Sequence, residues 1–185
     1  LHNIDYVNIF SSVKHYWENI IAEVGLRTLL LKNLFITILL TLAPISELRG
    51  GIPFAIGHSI SPVTAFILCV SVNALVGPLV FIFLETLHKL LYRIVFYKKI
   101  FDSIVKRARK RVQDKIDRYG YAGLTIFVAI PLPVTGAYTG AIGAWVLGMD
   151  YKKSFLAIAI GVVIAGLIVT SVTYFGIQAL YFFTK

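Results

Sequence analysis

The sequence predicts an all-α integral membrane protein, built as an inverted repeat of a re-entrant helical hairpin plus a transmembrane helix, with amphipathic interfacial helices. Three observations predict it. The 185-residue chain is 58% hydrophobic and 15% charged, with a mean hydropathy of +0.81, whereas soluble domains lie nearer half apolar and a quarter charged. No Asp, Glu, Lys or Arg interrupts Gly50–Leu84, Tyr119–Met149 or Ser154–Thr184, and about 20 apolar residues suffice to cross a bilayer. Finally, two of the apolar segments are broken by Pro and Gly at corresponding places. The whole of 1–185 reads as one membrane domain.

The elements follow in order. In residues 5–24, Phe10, Val13, Trp17, Ile20 or Ile21, and Val24 recur at helical spacing, and Gly25 can end the helix. Asp5, Glu18 and Glu23 are cancelled by Lys14 together with Arg27 and Lys32 just beyond it, so it reads either as an interfacial helix or as a helix packed on its own protein. Residues 33–58 read as a first re-entrant hairpin, broken in "TLAPISELRGGIPFAIG" (Thr41–Gly57). Residues 62–85 are long enough for a transmembrane helix, with Pro78 as a kink. Residues 86–118 hold eleven basic residues against three acids, so nearly all of the chain's +9 charge lies in one amphipathic linker. The run "KRARKR" (Lys106–Arg111) has the composition of a nucleic-acid patch. In so hydrophobic a chain it reads instead as a juxtamembrane helix against anionic lipid headgroups, with no nucleic-acid partner. Residues 119–149 form a second hairpin and 153–183 a final transmembrane helix.

The repeat shows at an offset of 89 residues. Pro44 meets Pro133, Gly51 meets Gly140, Ala55 meets Ala144, Phe66 meets Phe155, Gly77 meets Gly166, and Ser46 meets Thr135. The matches fall mainly on residues that punctuate structure. Segment 119–149 divides at Pro131–Pro133 into arms of roughly 15 residues, or about 22 Å each, short of a bilayer core of about 30 Å. Two short arms favour a hairpin that enters and leaves on one side. A hairpin also leaves Lys152 and Lys153 on the side of the basic linker, which the positive-inside rule makes cytoplasmic. One hairpin and one crossing per unit invert successive units.

Irregular backbone at membrane depth must be buried in protein or line a wet cavity. The tips at Pro44–Gly51 and Pro131–Gly140 are therefore expected to face each other, with Ser46 and Thr135 capping the returning arms. Helix N-termini bind anions, and the Arg49 guanidinium is a fork suited to phosphate. Glu47 is the titratable partner that could carry a proton. The candidate binding set is Ser46, Glu47, Arg49, Gly50, Gly51, Asn73, Pro131, Pro133, Thr135, Gly136, Tyr138 and Gly140. Alternatives stand beside it. Glu47 and Arg49 could merely pair with each other, Asn73 could join helices, and Tyr138 could be packing.

"PISELRGGIP" (Pro44–Pro53) and "IPLPVTGAYTGA" (Ile130–Ala141) resemble the small multidrug export family, a distant branch of the DedA/VTT superfamily, over roughly residues 33–175. The resemblance implies inverted repeats of re-entrant hairpin plus helix. It also implies transport driven by the proton-motive force, and flipping of polyprenyl-phosphate carriers or scrambling of lipids. It carries the family's first-loop acid onto Glu47, and its second-loop Pro and Gly onto Pro131, Pro133, Gly136 and Gly140. DedA proteins have arginine in the second loop. This chain has none between Tyr119 and Met149, so Arg49 would supply the positive charge alone.

The expected function is a transporter or flippase in the inner (plasma) membrane for an anionic amphiphile such as a phospholipid or polyprenyl phosphate. A small-molecule exporter and a non-transporting membrane scaffold are the alternatives. Catalysis is not expected, since no nucleophile–base pair is visible. The lone Cys69 reads as a small buried hydrophobe, and His2, His15, His58 and His88 lack metal-ligand spacing, so no metal or other cofactor is expected. Membrane lipids are the expected partners, and half-depth hairpins make a homodimer a reasonable assembly.

Overall fold

The computed structural model describes residues 6–132 and 135–183. These form helices α1 (Tyr6–Leu42), α2 (Glu47–Gly57), α3 (Pro62–Ala74), α4 (Val76–Leu91), α5 (Val95–Ala129), α6 (Ala137–Val146) and α7 (Tyr151–Phe183), with no strand among the described residues. Three stretches are long and apolar enough to cross a membrane: Glu18–Leu42, Pro62–His88 and Tyr151–Leu180. The chain is an all-helical membrane protein. It divides into two units, 1–36 and 37–185.

The first unit is helical throughout its described part. Gly25 was expected to end a helix over 5–24, yet α1 runs through it. A lone glycine costs a helix interior only about 1 kcal/mol. The leucine-rich stretch that follows restores helix propensity, and an exposed Glu23–Arg27 ion pair of 2.9 Å closes one turn across the glycine.

In the second unit, residues Ala43–Ser46 break the backbone between α1 and α2, with Pro44 ending the first helix. Helix α2 ends where the N–H of Ile60 reaches the carbonyl of Ala55 (3.0 Å) around Ser59, whose φ is +64°. This is the five-residue-back bond of a Schellman C-cap. The next helix starts at once. Ser61 caps α3 by accepting from the N–H of Thr64 (3.1 Å), and Pro62 takes the first helical position. Replacing Ser61 by alanine is expected to cost about 1 kcal/mol, read as a lowered melting temperature of the purified protein. Pro78 lacks the N–H that the Ala74 carbonyl would accept, and the span breaks there, between α3 and α4.

The same events recur 89 residues later. Helix α6 ends where the N–H of Met149 reaches the carbonyl of Ala144 (3.0 Å) around Gly148, φ +66°. Asp150 then caps α7 by accepting from the N–H of Lys153 (3.0 Å). Helices α2 and α6 end at Gly57 and Val146, and α3 and α7 start at Pro62 and Tyr151, each pair at that same offset.

Helix α5 is bent. Gly120 has φ +57° and ψ −131°, a region open essentially to glycine. A Cβ placed on Gly123 would lie 2.6 Å from the carbonyl carbon of Lys115. Eight residues of straight helix span about 12 Å, so that contact requires a sharp turn. Phe101, Ala108 and Val112 bury one face of the first arm, while Lys106, Arg107, Arg109, Lys110 and Arg111 stay exposed. The second arm packs with α6 and α7 around Leu124, Phe127, Val128, Ile158 and Val162, all fully or nearly fully buried.

Candidate functional site

The backbone breaks before α2 and before α6 bring their chemistry together. Glu47 opens α2 with φ +45°, an uncommon conformation for a side chain-bearing residue, which costs about 1–2 kcal/mol. Its carboxylate crosses to the other break. Glu47 Oε2 accepts from the N–H of Ala137, the first residue of α6 (3.2 Å), and from Asn73 Nδ2 (3.4 Å). Arg49 Nη2 donates to the carbonyl of Thr135. The two charged side chains thus hydrogen-bond to different partners rather than to each other. Both Glu47 and Asn73 are buried, at 5% and 1% exposure, and the break at Pro78 leaves Asn73 at the end of α3, facing the acid.

A cavity of about 10 Å³ lies here, lined by Glu47, Arg49, Asn73, Pro131 and Gly136 with apolar side chains from α5 and α7. That is room for about one water molecule, and for nothing larger. Asn73 Oδ1 is buried without a hydrogen-bond partner.

Some expected roles are corrected. Ser46 does not cap α2. Its own backbone is helical, so its hydroxyl points back and donates to the carbonyl of Leu40, which the N–H of Ala43 also reaches (3.3 Å) and whose usual partner four residues on is Pro44, which has no N–H. Nor does Thr135 cap α6, whose N-cap is Gly136. Thr135 Oγ1 closes its own loop with Leu132 and with the carbonyl of Ile130 (2.8 Å). The α6 N-terminus is instead served by Glu47, 90 residues away in sequence. Capping rules concern neighbouring residues, and no local signal points to so distant a partner. The glycines divide. Gly136 abuts the Glu47 carboxyl, whereas Gly50 packs on Ser46, Gly51 on Thr41 and Cys69, and Gly140 on Val128 and Leu124. Pro133 lies outside the described residues. Cys69 is fully buried and unbonded to sulfur.

Gly136 lines the small polar cavity, and Tyr138, two residues on, lines a second one. The Tyr138 hydroxyl donates to the carbonyl of Leu42 (2.6 Å), at the end of α1, so Arg49 and Tyr138, 89 residues apart, each reach a backbone carbonyl at the opposite break. The second cavity, of about 360 Å³, is formed with Leu79, Phe83, Ile100, Phe101 and Ile142. This apolar cavity lies among α4, α5 and α6, and the sequence reading missed it. His88, expected to be one of several scattered histidines, is packed beside it against Phe101, Tyr92 and Trp145, with Nδ1 3.2 Å from the Tyr97 hydroxyl.

Long apolar helices, with a buried acid and a guanidinium at paired backbone breaks, define a membrane protein with a polar centre. Residues 47–168, about two thirds of the chain, match the family described as "Putative small multi-drug export protein". The chain belongs to that family. No curated protein and no solved structure matches it.

Proposed function

We propose that this protein is a transporter or flippase that moves an anionic amphiphile, such as a phospholipid or polyprenyl phosphate, across the inner membrane, with Glu47 carrying a coupled proton. The observation that carries the reading is the adjacency of two unlike compartments. Glu47, Arg49, Asn73 and Gly136 line a polar one at the α6 N-terminus, and Tyr138, two residues after Gly136, lines the apolar cavity of about 360 Å³. An amphiphile needs both, side by side. Arg49 and the α6 N–H groups would hold its headgroup. The polar compartment is nearly closed, which fits an occluded state that must open to bind.

The recurrence of caps and ends at 89 residues supports an inverted repeat of re-entrant hairpin plus helix, as in the DedA superfamily. So do exchanged contacts. Gly77 packs on Phe155 and Ile158, and Gly166 packs on Phe66 and Val70. Helices α2 and α6, of 11 and 10 residues, reach only about 15 Å each, about half a bilayer core. In this reading the basic linker is cytoplasmic, lipids are the partners, two copies associate to enclose the hairpins, and the protein has no catalytic chemistry. The family's description favours a second reading, export of small drug molecules.

Lipid translocation in proteoliposomes tests the choice. Fluorescent polyprenyl phosphate and phospholipid analogues should cross with wild-type protein, and at least tenfold more slowly with folded Glu47→Gln or Arg49→Ala. No translocation of any lipid by folded wild type, with or without a proton gradient, would overturn the flippase and leave the drug exporter, to be tested with soluble substrates.

A further inference from the structure

We infer that the Glu47 carboxylate is a built-in plug: it occupies the anion seat at the start of α6, and an anionic headgroup takes that seat only when Glu47 accepts a proton and leaves. This rests on the anion-site reading above and gives that site its coupling rule.

The geometry starts from α6. A helix presents free N–H groups in its first turn, and they favour negative charge. The residue before α6 is Gly136, which has no side chain with which to cap it. The seat is nevertheless filled, because Ala137 N–H donates to Glu47 Oε2 at 3.2 Å. A carboxylate there stands in for the oxygen of a phosphate ester or other anionic headgroup. While it remains, the cavity holds about 10 Å³, space for one water. No headgroup fits beside it.

Charge balance makes the exchange a linked one. Glu47 is faced by Arg49 from α2 and by Tyr138 from α6. Helix α3 contributes the neutral Asn73. Of the remaining cavity lining, the α5 segment gives Val128 and Pro131, and α7 gives Val162, Ala165 and Val169, all uncharged. In the closed state one carboxylate offsets one guanidinium. A headgroup anion entering without a proton would leave two negative charges beside one positive charge in an apolar interior, which is costly. With a proton on Glu47 the balance is again one to one.

Asn73 is the second observation. Its amide is 1% exposed and lines the same cavity, and its Oδ1 has no partner. Against a carboxylate the amide can only donate, through Nδ2, which leaves Oδ1 idle. Turned by half a rotation, it offers Oδ1 to a Glu47 hydroxyl. Asn73 can therefore serve both protonation states of the acid, which an apolar residue could not do.

The test uses purified full-length protein in nanodiscs of neutral lipid, with three probes: dodecanesulfonate, dodecyl phosphate and inorganic phosphate. The sulfonate keeps one charge across the pH range, so any pH dependence of its binding belongs to the protein. Wild type should bind it at least tenfold more tightly at pH 5.5 than at pH 8, taking up about one proton per anion in weakly buffered solution, because linkage is reciprocal. Folded Glu47→Gln should bind with little pH dependence, at least as tightly as wild type at pH 5.5, and without proton uptake. Dodecyl phosphate sharing the behaviour while inorganic phosphate binds weakly would assign the seat to a lipid headgroup. Equal binding of inorganic phosphate would uphold the plug and assign the seat to a free anion. Sulfonate binding by wild type that is independent of pH and takes up no proton would overturn the plug but leave the anion site standing, and needs no variant. No binding of any probe at either pH would overturn the anion site, and the plug with it.

Discussion

Gly123→Ala is expected to leave little folded protein, the largest stability effect of any single methyl group in this chain. The added Cβ would sit 2.6 Å from the carbonyl carbon of Lys115 and 3.2 Å from the Ile116 nitrogen. Both obstacles are backbone, so no rotamer change relieves them. The two arms of α5 would have to part. The second arm carries Leu124, Phe127 and Val128 into the core with α6 and α7. Splaying it forfeits buried contacts worth about 1.5–3 kcal/mol per large side chain, so a loss above about 4 kcal/mol is expected. Gly120→Ala is the graded comparison. A Cβ there meets nothing within 4 Å, and only the backbone conformation is strained, at about 1–3 kcal/mol. Melting temperatures and expression yields of the two variants should therefore separate widely. Equal, mild effects would mean that the bend is not required.

That bend shows what the sequence discloses and what it hides. Apolar runs, prolines and caps act locally, so the span at Pro62, the kink near Pro78 and the break at Pro44 are readable from residue types alone. The division between the basic linker and the second apolar segment was placed at Tyr119, and Gly120 is where the backbone turns. The severity of that turn was not readable, because it depends on Gly123 meeting a backbone eight residues earlier in the chain. At the site, Glu47 and Arg49 stand out because charge is costly among apolar residues. Their partners do not stand out. Ala137 is one alanine among many, and it matters only because folding brings its N–H to Glu47. Local capping rules assigned Ser46 and Thr135 to helix starts, yet both hydroxyls were taken by carbonyls of their own breaks. The apolar cavity was hidden for the same reason, since Leu79, Ile100 and Ile142 come from three separate helices.

The contact between Gly136 and Glu47 provides the sharpest check on the site itself. Gly136→Ala places a methyl group where the Glu47 carboxyl lies. The acid must then leave the α6 N-terminus, losing a charge-assisted hydrogen bond while still buried, at a cost of about 3 kcal/mol. Transport should fall at least tenfold, because the seat itself is narrowed. Glu47→Gly gives the opposite change. It removes the carboxyl, and it relaxes a backbone held at φ +45°, a conformation glycine adopts without strain. In that background the methyl group of Gly136→Ala no longer meets the carboxyl, and the strain of a side chain at φ +157° remains. The double variant should therefore be much less destabilised than the sum of the two single variants, with a coupling of about 2–3 kcal/mol. Transport should not return with stability, since the group proposed to carry the proton is gone. Additive stability losses would mean that Gly136 is required for its backbone rather than for the room it leaves Glu47. Recovery of transport in the double variant would remove Glu47 from the mechanism altogether.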